Sequence, residues 1–351
     1  HYDLANTLMM GGRPAEAVAS LDRALALRPD RREWRFNRGH ALLALGRLDE
    51  AWADLDAYWR GQRRRSWREP EWDGARLAGP LLVWSDQGIG DEVLGCGMLG
   101  DAAARAGGLV VESDPRLVPL LRRSFPEATV VPRAQPPTAA GVPEGIAAQV
   151  AMTALPRLLR RRVGDFLPHR GYLRADPHRT ATLRARYRAQ RSTILVGVSW
   201  RSANRTVGER KSFGLPGWAP VLQVPGVTFV SLQYGEVAAD VAAAEAATGA
   251  RIVVDPAIDA LADLDGFAAQ VAAMDLVITV SNSTAHFAGA LGRPCWLMLP
   301  GGNGLLWHWI LCHGDGCPWY PSIRAFRQER EGGWPGMIAR VGNELRRRGA
   351  A

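Results

Sequence analysis

LVITVSNSTAHFAGALGRPCWLML, Leu276 to Leu299, is the stretch that decides the fold. Leu276-Val277-Ile278-Thr279-Val280 is a continuous, mostly β-branched run, the pattern of a parallel strand covered on both faces. Ser281, Asn282, Ser283 and Thr284 follow at once; they are small, hydrogen-bonding residues suited to capping a helix. Ala285 to Leu291 reads as a short helix stopped by Gly292 and Pro294, and Trp296–Leu299 as a second buried strand. A helix that starts at the carboxyl end of a parallel strand presents free N–H groups and a positive dipole end, which suits a phosphate. The same turn occurs in doubly wound folds that bind nothing, so the stretch fixes the fold more firmly than the ligand.

Upstream of it, Thr193 opens a unit with a strand at Ile194–Trp200, a loop at Arg201–Leu215, a helix near Trp218–Leu222, and strands at Val227–Leu232 and Arg251–Val254. Before that unit, Tyr172–Arg191 holds a turn and an Arg-rich helix. Another α/β segment precedes this bridge: strand Leu81–Trp84, turn Ser85–Gly90, helix Asp91–Ala106, strand Leu109–Glu112, helical Asp114–Ser124, strand Ala128–Val131 and a Pro- and Gly-rich loop Ala134–Gly145. Alternating β and α elements imply parallel sheets. An amphipathic helix from Gly336 to Arg348 closes the chain.

The first sixty residues repeat. Gly12-Arg13 recurs as Gly46-Arg47, 34 positions on, and at that offset Glu16, Ala17, Ala19, Leu21 and Asp22 match Glu50, Ala51, Ala53, Leu55 and Asp56. About one and a half units are visible. This resembles the tetratricopeptide repeat, a helix–turn–helix of that period. Repeats bury their faces against neighbours, so further repeats are expected upstream of His1, and their concave surface implies a protein or peptide partner. The last helices could equally brace the next domain.

Composition narrows the function classes. The chain has 351 residues, 47% of them hydrophobic, enough for several domains with a sizeable core. It holds no apolar run of about 18 residues, so no transmembrane helix is expected, and no signal-peptide pattern. Four scattered cysteines (Cys96, Cys295, Cys312, Cys317) do not make a disulfide framework, and a reducing cytoplasm is the expected setting. The net charge is +8, yet Lys211 is the only lysine among 43 Lys and Arg residues, so the charge reflects arginine usage more than nucleic-acid binding. The runs Arg63–Arg65, Arg160–Arg162 and Arg346–Arg348 read as solvated faces or helix ends. His308, Cys312, His313 and Cys317 lacks standard zinc-ligand spacing, so no metal and no cofactor are expected.

From roughly Glu71 onward the chain resembles glycosyltransferases of the GT-B fold, nearest to the heptosyltransferase-like enzymes of family nine. The residues that carry this are Gln87-Gly88-Ile89-Gly90-Asp91-Glu92, the strand end Trp200-Arg201-Ser202-Ala203-Asn204, and Ser281 to Pro294 with His286. Repeats joined to such a domain are also similar to O-linked N-acetylglucosamine transferases and flagellin glycosyltransferases. The resemblance implies two Rossmann-like domains after an all-α repeat segment. The expected boundaries are repeats at 1–60, a linker at 61–79, an acceptor domain at 80–175, a connector at 176–192, a nucleotide-sugar domain at 193–330 and a closing helix at 331–351.

It further implies transfer of a sugar from a nucleotide donor to a hydroxyl, without a metal. Asp91 falls where the family places its base, and Gln87, Gly88, Gly90 and Glu92 lie on the acceptor side; helix capping by Asp91 is the competing reading. Arg201, Ser202, Asn204, Arg205 and Lys211, with Ser281, Asn282, Ser283, Thr284 and His286, are the expected donor-phosphate contacts. Retention of Lys211 by chance and a purely structural His286 stay open. Gln233, Tyr234, Asp263 and Asp265 are candidates for base or ribose, with loop solvation the alternative for the two aspartates. Trp307 and Trp309 read better as core than as sugar-stacking residues. The family usually opens its last motif with an acid; Ser281 stands there, which speaks against an ADP-heptose donor and leaves room for a more anionic one such as a CMP-linked nonulosonic acid. The expected partners are a nucleotide sugar and a protein acceptor recruited by the repeats. A non-catalytic scaffold with a decayed transferase domain, and a transferase acting on a glycolipid, are the rival readings.

Overall fold

The 34-residue period becomes two helical hairpins: α1 (Tyr2–Met10) with α2 (Pro14–Leu27), and α3 (Arg32–Ala44) with α4 (Leu48–Arg60). The visible repeat is therefore two helix pairs, longer than the one and a half units expected. Gly12 and Gly46 make equivalent turns at φ 69° and 72°, a region that side chains disfavour. The ion pairs Arg13–Glu16 and Arg47–Glu50 recur at the same offset. Ala17, Leu21, Ala51 and Leu55 are fully buried between the helices. A Cβ on Gly39 would lie 2.9 Å from Leu55 Cγ, so glycine is what lets α3 approach α4.

This computed structural model describes residues 1–63, 65–135, 138–189, 194–204, 206–329 and 332–349. The chain forms two compact units, His1–Pro168 and His169–Ala351, with the repeats inside the first. That unit's sheet contains β1 (Pro80–Trp84), β2 (Gly108–Ser113), β3 (Thr129–Pro132) and β4 (Ala148–Ala151), all parallel in the order β3-β2-β1-β4. Helices α5 (Ile89–Cys96), α6 (Leu99–Ala103), α7 (Val118–Ser124) and α8 (Leu155–Leu159) connect and cover it. The single helix expected over Asp91–Ala106 is two, broken at Gly97 and Met98, because glycine is a poor helix residue. β4 was not expected, since its Ala-Gln-Val-Ala sequence has little β propensity.

The repeats dock on this sheet domain through α4. Trp52, 1% exposed, donates its Nε1–H to Arg160 O at 2.6 Å, and Arg161 pairs with Asp49 at 2.8 Å. The basic runs behave differently from expectation here. Arg63 reaches Asp56 and Asp86, Arg65 grips Glu112 from above the Trp67 ring, and Arg160 is buried against Asp101. Nearby carboxylates drew them inward; Arg346–Arg348 do end a helix, as expected, and Arg64 lies outside the described residues.

The second unit opens with α9 (Pro177–Arg188), capped by Asp176. Its sheet has six parallel strands in the order β10-β9-β8-β5-β6-β7. These are β5 (Ile194–Ser199), β6 (Val227–Ser231), β7 (Ile252–Val253), β8 (Leu276–Val280), β9 (Cys295–Leu299) and β10 (Ile323–Arg327). The intervening helices are α10 (Ala219–Leu222), α11 (Ala238–Thr248), α12 (Leu264–Ala272) and α13 (Ser283–Ala290), and α14 (Trp334–Gly349) closes the unit. Read from its first strand, the order is 3-2-1-4-5-6, the doubly wound arrangement of dinucleotide-binding sheets. Every residue of β8 is buried, as its apolar run requires. β10 was missed: Ile-Arg-Ala-Phe-Arg alternates like a half-covered edge strand but sits in a loop-like stretch. Helix α14 seats Met337, Ile338, Val341 and Leu345 in the core, and a Cβ on Gly342 would come within 2.2 Å of Pro220 O.

Cys312 and Cys317 are bonded to each other, while Cys96 and Cys295 are free and buried. Among the described residues no helix is long and apolar enough to cross a membrane.

Candidate functional site

In a doubly wound sheet, ligands bind outside the carboxyl ends of the strands, where the strand order reverses. In the second unit that point lies between β5 and β8, which pair directly. Residues from three strand ends lock together there. The Asn282 side chain donates to Ser199 Oγ at 2.7 Å and to Arg201 O at 3.0 Å, and its Oδ1 accepts from Thr284 N at 3.0 Å. Thr284 Oγ1 contacts Ser199 Oγ and Leu232 O at 3.4 and 3.3 Å. Gln233 Oε1 accepts from Ser199 Oγ, Trp200 N and Arg201 N, all within 3.0 Å. Asn282, Thr284 and Gln233 thus spend their hydrogen bonds inside the protein. Their effect is to fix the loop after β5 against the start of α13.

Other candidates line that frame. Asn282 is the N-cap of α13, and Ser283 is its first, half-buried residue. Ser281 Oγ is buried and meets no hydrogen-bond partner among the described residues. A buried hydroxyl without a partner costs free energy, so a ligand oxygen there would be welcome. Ser202 N donates to Ser212 Oγ, and Asn204 Oδ1 accepts from Thr206 N and Val207 N, shaping the loop after β5. A Cβ on Gly208 would fall 2.3 Å from Asn204 O, so the loop closes only on glycine. The loop delivers Lys211, 2% exposed, beneath the surface. Arg205 lies outside the described residues.

Lys211 faces His286. Burial first, and then the Lys211 cation, push the His286 imidazole down to about 3, so it is neutral. His286 Nδ1 is 2.9 Å from Tyr320 Oη, and the ring stacks on Trp309 at 4.6 Å. Gly289 admits Tyr320, whose ring a Cβ would meet at 2.3 Å. Trp309 Nε1 is buried with no hydrogen-bond partner among the described residues. Trp307 and Trp309 are core residues, as read. Sequence reasoning missed Ser199 and Tyr320; Ser199 ends a buried strand, a position that could have flagged it.

Four further candidates have engagements of their own. The Arg201 guanidinium is engaged by Asp240 and Glu236 O. Asp263 caps α12 through Gly266 N and pairs with Arg179 at 2.6 Å. Burial alone would raise its carboxyl, but the Arg179 pair and the cap bond together outweigh it and hold the carboxyl below the usual carboxylate range. Asp265 lies in the first turn of the same helix. Tyr234 Oη accepts from Ala203 N, so it too shapes the loop after β5.

The first unit repeats the topology with different chemistry. Its order reverses between β1 and β4, and Ser85–Gly90 leaves β1 there. Gly88 is the N-cap of α5, and Asp91 stands three residues in. Burial, and then the Asp86 charge, raise the Asp91 carboxyl to about 6, although Gly88 N hydrogen-bonds to it. Asp91 therefore both caps the helix and keeps its proton to about pH 6, well above an ordinary aspartate. Gln87 and Gly90 flank this turn. Glu92 points inward: 1% exposed, it accepts from Ser113 Oγ and Asp114 N and pairs with Arg133 at 3.1 Å. Its burial leaves Asp91 as the acid of the turn that is better placed for a substrate.

A repeat protein with a GT-B pair of Rossmann-like domains is the class this architecture defines. Residues 2–63 match the tetratricopeptide-repeat family model. The chain is 34% identical over 332 residues to protein FlbA of Caulobacter vibrioides, covering 89% of this chain. It spans about half, 54%, of that relative's length. Among solved structures it has the fold of Escherichia coli ADP-heptose lipopolysaccharide heptosyltransferase II (TM-score 0.52, 14% identity, 78% of this chain and 100% of that one). It shares that fold with a glycosyl transferase of family 9 from Veillonella parvula (TM-score 0.51, 12% identity, 81% and 98%).

Proposed function

We propose that this chain is a glycosyltransferase that moves a sugar from a nucleotide-activated donor to a hydroxyl, with a protein recruited by the repeats as acceptor. The observation that carries this reading is Asp91. It stands at the first strand-to-helix turn of a doubly wound sheet, with a carboxyl raised to about 6 by burial and Asp86. A base poised near the working pH suits removal of a hydroxyl proton as the oxygen attacks the anomeric carbon. The likeness to family 9 structures supports the class through the fold.

In this reading the donor binds the second unit. The pyrophosphate lies at the start of α13, where Ser281 Oγ and Ser283 offer hydrogen bonds. Lys211 supplies positive charge as the leaving phosphate gains negative charge. Asn282, Thr284 and Gln233 hold that frame and do not touch the donor. The neutral His286 keeps charge from competing with Lys211. Protein groups alone stabilise the leaving group, so turnover should survive a chelator.

The test is calorimetric titration of the purified chain with CMP, UDP, GDP and ADP, followed by a transfer assay with the matching nucleotide sugar. Binding of one nucleotide, weakened at least tenfold by Lys211→Met, is the expected result. A folded chain that binds none of them would overturn the reading.

A further inference from the structure

The turn that carries Asp91 is held partly from outside its own sheet. Arg63 lies just beyond α4, the last repeat helix, with a side chain only 9% exposed. Its Nε donates to Asp86 Oδ2 at 2.9 Å, and its second nitrogen donates to Thr153 Oγ1 at 2.8 Å. The same guanidinium stands 3.2 Å from Asp56 Oδ1, on α4 itself. Asp86 in turn accepts from Thr153 N at 3.2 Å and from the Thr153 hydroxyl. One side chain thereby joins the repeat helix, the end of β1 and the segment after β4. Asp86 precedes the N-cap Gly88 by two residues.

We propose that Arg63 and Asp86 are a positioning pair through which the last repeat helix sets the place and charge environment of Asp91. The repeats are then part of the transfer machinery and not only a tether. This rests on the function proposed above.

The charged groups around Asp91 are few. Asp86 and Glu92 come from its own segment. Glu92 is answered by Arg133, which also reaches Asp114. Asp86 is met by Arg63, from just after α4, which also stands 3.2 Å from Asp56; Arg157 of α8 is 3.2 Å from Asp56 as well. Asp86 raises Asp91 by like-charge repulsion, and Arg63 opposes that repulsion by neutralising Asp86. Removing each partner therefore has opposite consequences, which a purely structural contact would not produce.

The experiment follows the Asp91 carboxyl by carbon NMR of aspartate-labelled protein, assigned with Asp91→Asn, beside the pH profile of kcat/KM. Arg63→Gln should move the Asp91 titration and the acid limb of the profile up by about one pH unit. Asp86→Asn should move both down by a similar amount. At pH 6, Arg63→Gln then loses about fivefold in kcat/KM while its plateau at high pH is largely kept. Arg63→Lys, which keeps the cation, should restore most of the native profile, and it serves if the glutamine variant fails to fold. Shifts in one direction for both variants, or none in either, would overturn the proposal. Opposed NMR shifts in a chain that turns over no nucleotide sugar would uphold the pair and remove the transferase reading.

Discussion

The two sheets share one strand order around their reversal points, 3-2-1-4, but furnish them with opposite chemistry. At the end of β1 the first unit gathers carboxylates: Asp86, Asp91 and Glu92, with Arg63 and Arg133 answering two of them. At the ends of β5 and β8 the second unit gathers hydroxyls and amides: Ser199, Gln233, Ser281, Asn282 and Thr284, with Lys211 behind them. The titrating groups diverge accordingly. Asp91 is raised by burial and Asp86, whereas His286 is lowered by burial and Lys211. One centre holds a carboxyl poised to take a proton; the other excludes a second positive charge next to its lysine. In the function proposed above, the same scaffold would serve proton abstraction in one place and anion binding in the other, because side chains at the strand ends, not the sheet, set the chemistry.

The sharpest break in that comparison comes from Asp91→Asn. If the carboxyl is the base, transfer should fall by about a hundred- to ten-thousandfold, with nucleotide binding to the second unit unchanged by calorimetry. Turnover within a few-fold of wild type would remove Asp91 from the chemistry. The same variant tests the burial of the charge. A carboxyl whose folded value lies above its unfolded one favours the protonated native state, so its ionisation costs stability as pH rises from about 4 to 6. By the raised value of about 6, Asp91→Asn should gain up to roughly 3 kcal/mol relative to wild type at pH 8. The gain should vanish below pH 4. Denaturant melts at both values would show it, and equal effects at both would mean that the carboxyl is not raised.

In the second unit, Asn282→Ala removes the donor to Ser199 and Arg201 and the cap of α13 at once. A loss of about 1–3 kcal/mol is expected from the buried groups left unpaired, accompanied by weaker nucleotide binding. Full stability with full binding would mean that the frame tolerates its loss and that the two centres differ less than their hydrogen bonds suggest.

Much of this was legible from residue order. The apolar run Leu276–Val280 had to be a covered strand, and the Ser-Asn-Ser-Thr cluster had to start a helix, because few other places satisfy both. The 34-residue repeat was readable because its glycines need left-handed backbone. What stayed hidden was direction. Asn282, Thr284 and Gln233 look like ligand-binding groups, yet they point into the frame, and only three-dimensional partners reveal that. Arg63 looked like one more surface arginine in a basic run. Its partner Asp86 is 23 positions away, beyond the reach of any local pattern. β4 and β10 were lost for a related reason: edge strands gain their stability from a neighbour, and their own residues advertise it weakly.

The smallest effect concerns His286, and its sign is the informative part. The native imidazole is held near 3 by burial and Lys211, while in the unfolded chain it takes a proton near 6.5. The unfolded state then binds more protons than the native one between those values, so stability attributable to His286 is lost as pH falls through 6.5. Replacing it by glutamine removes that dependence. At pH 7.5 His286→Gln should be less stable than wild type, because the Tyr320 contact and the stacking on Trp309 are disturbed. At pH 5.5 the difference should shrink by about 1.4 kcal/mol, one pH unit below the unfolded value. The other histidines are common to both proteins and cancel in the difference. A gap that stays constant from pH 7.5 to 5.5 would mean that His286 carries a proton in the folded protein. The second centre would then hold two cations, and its contrast with the carboxylate centre would be one of charge alone.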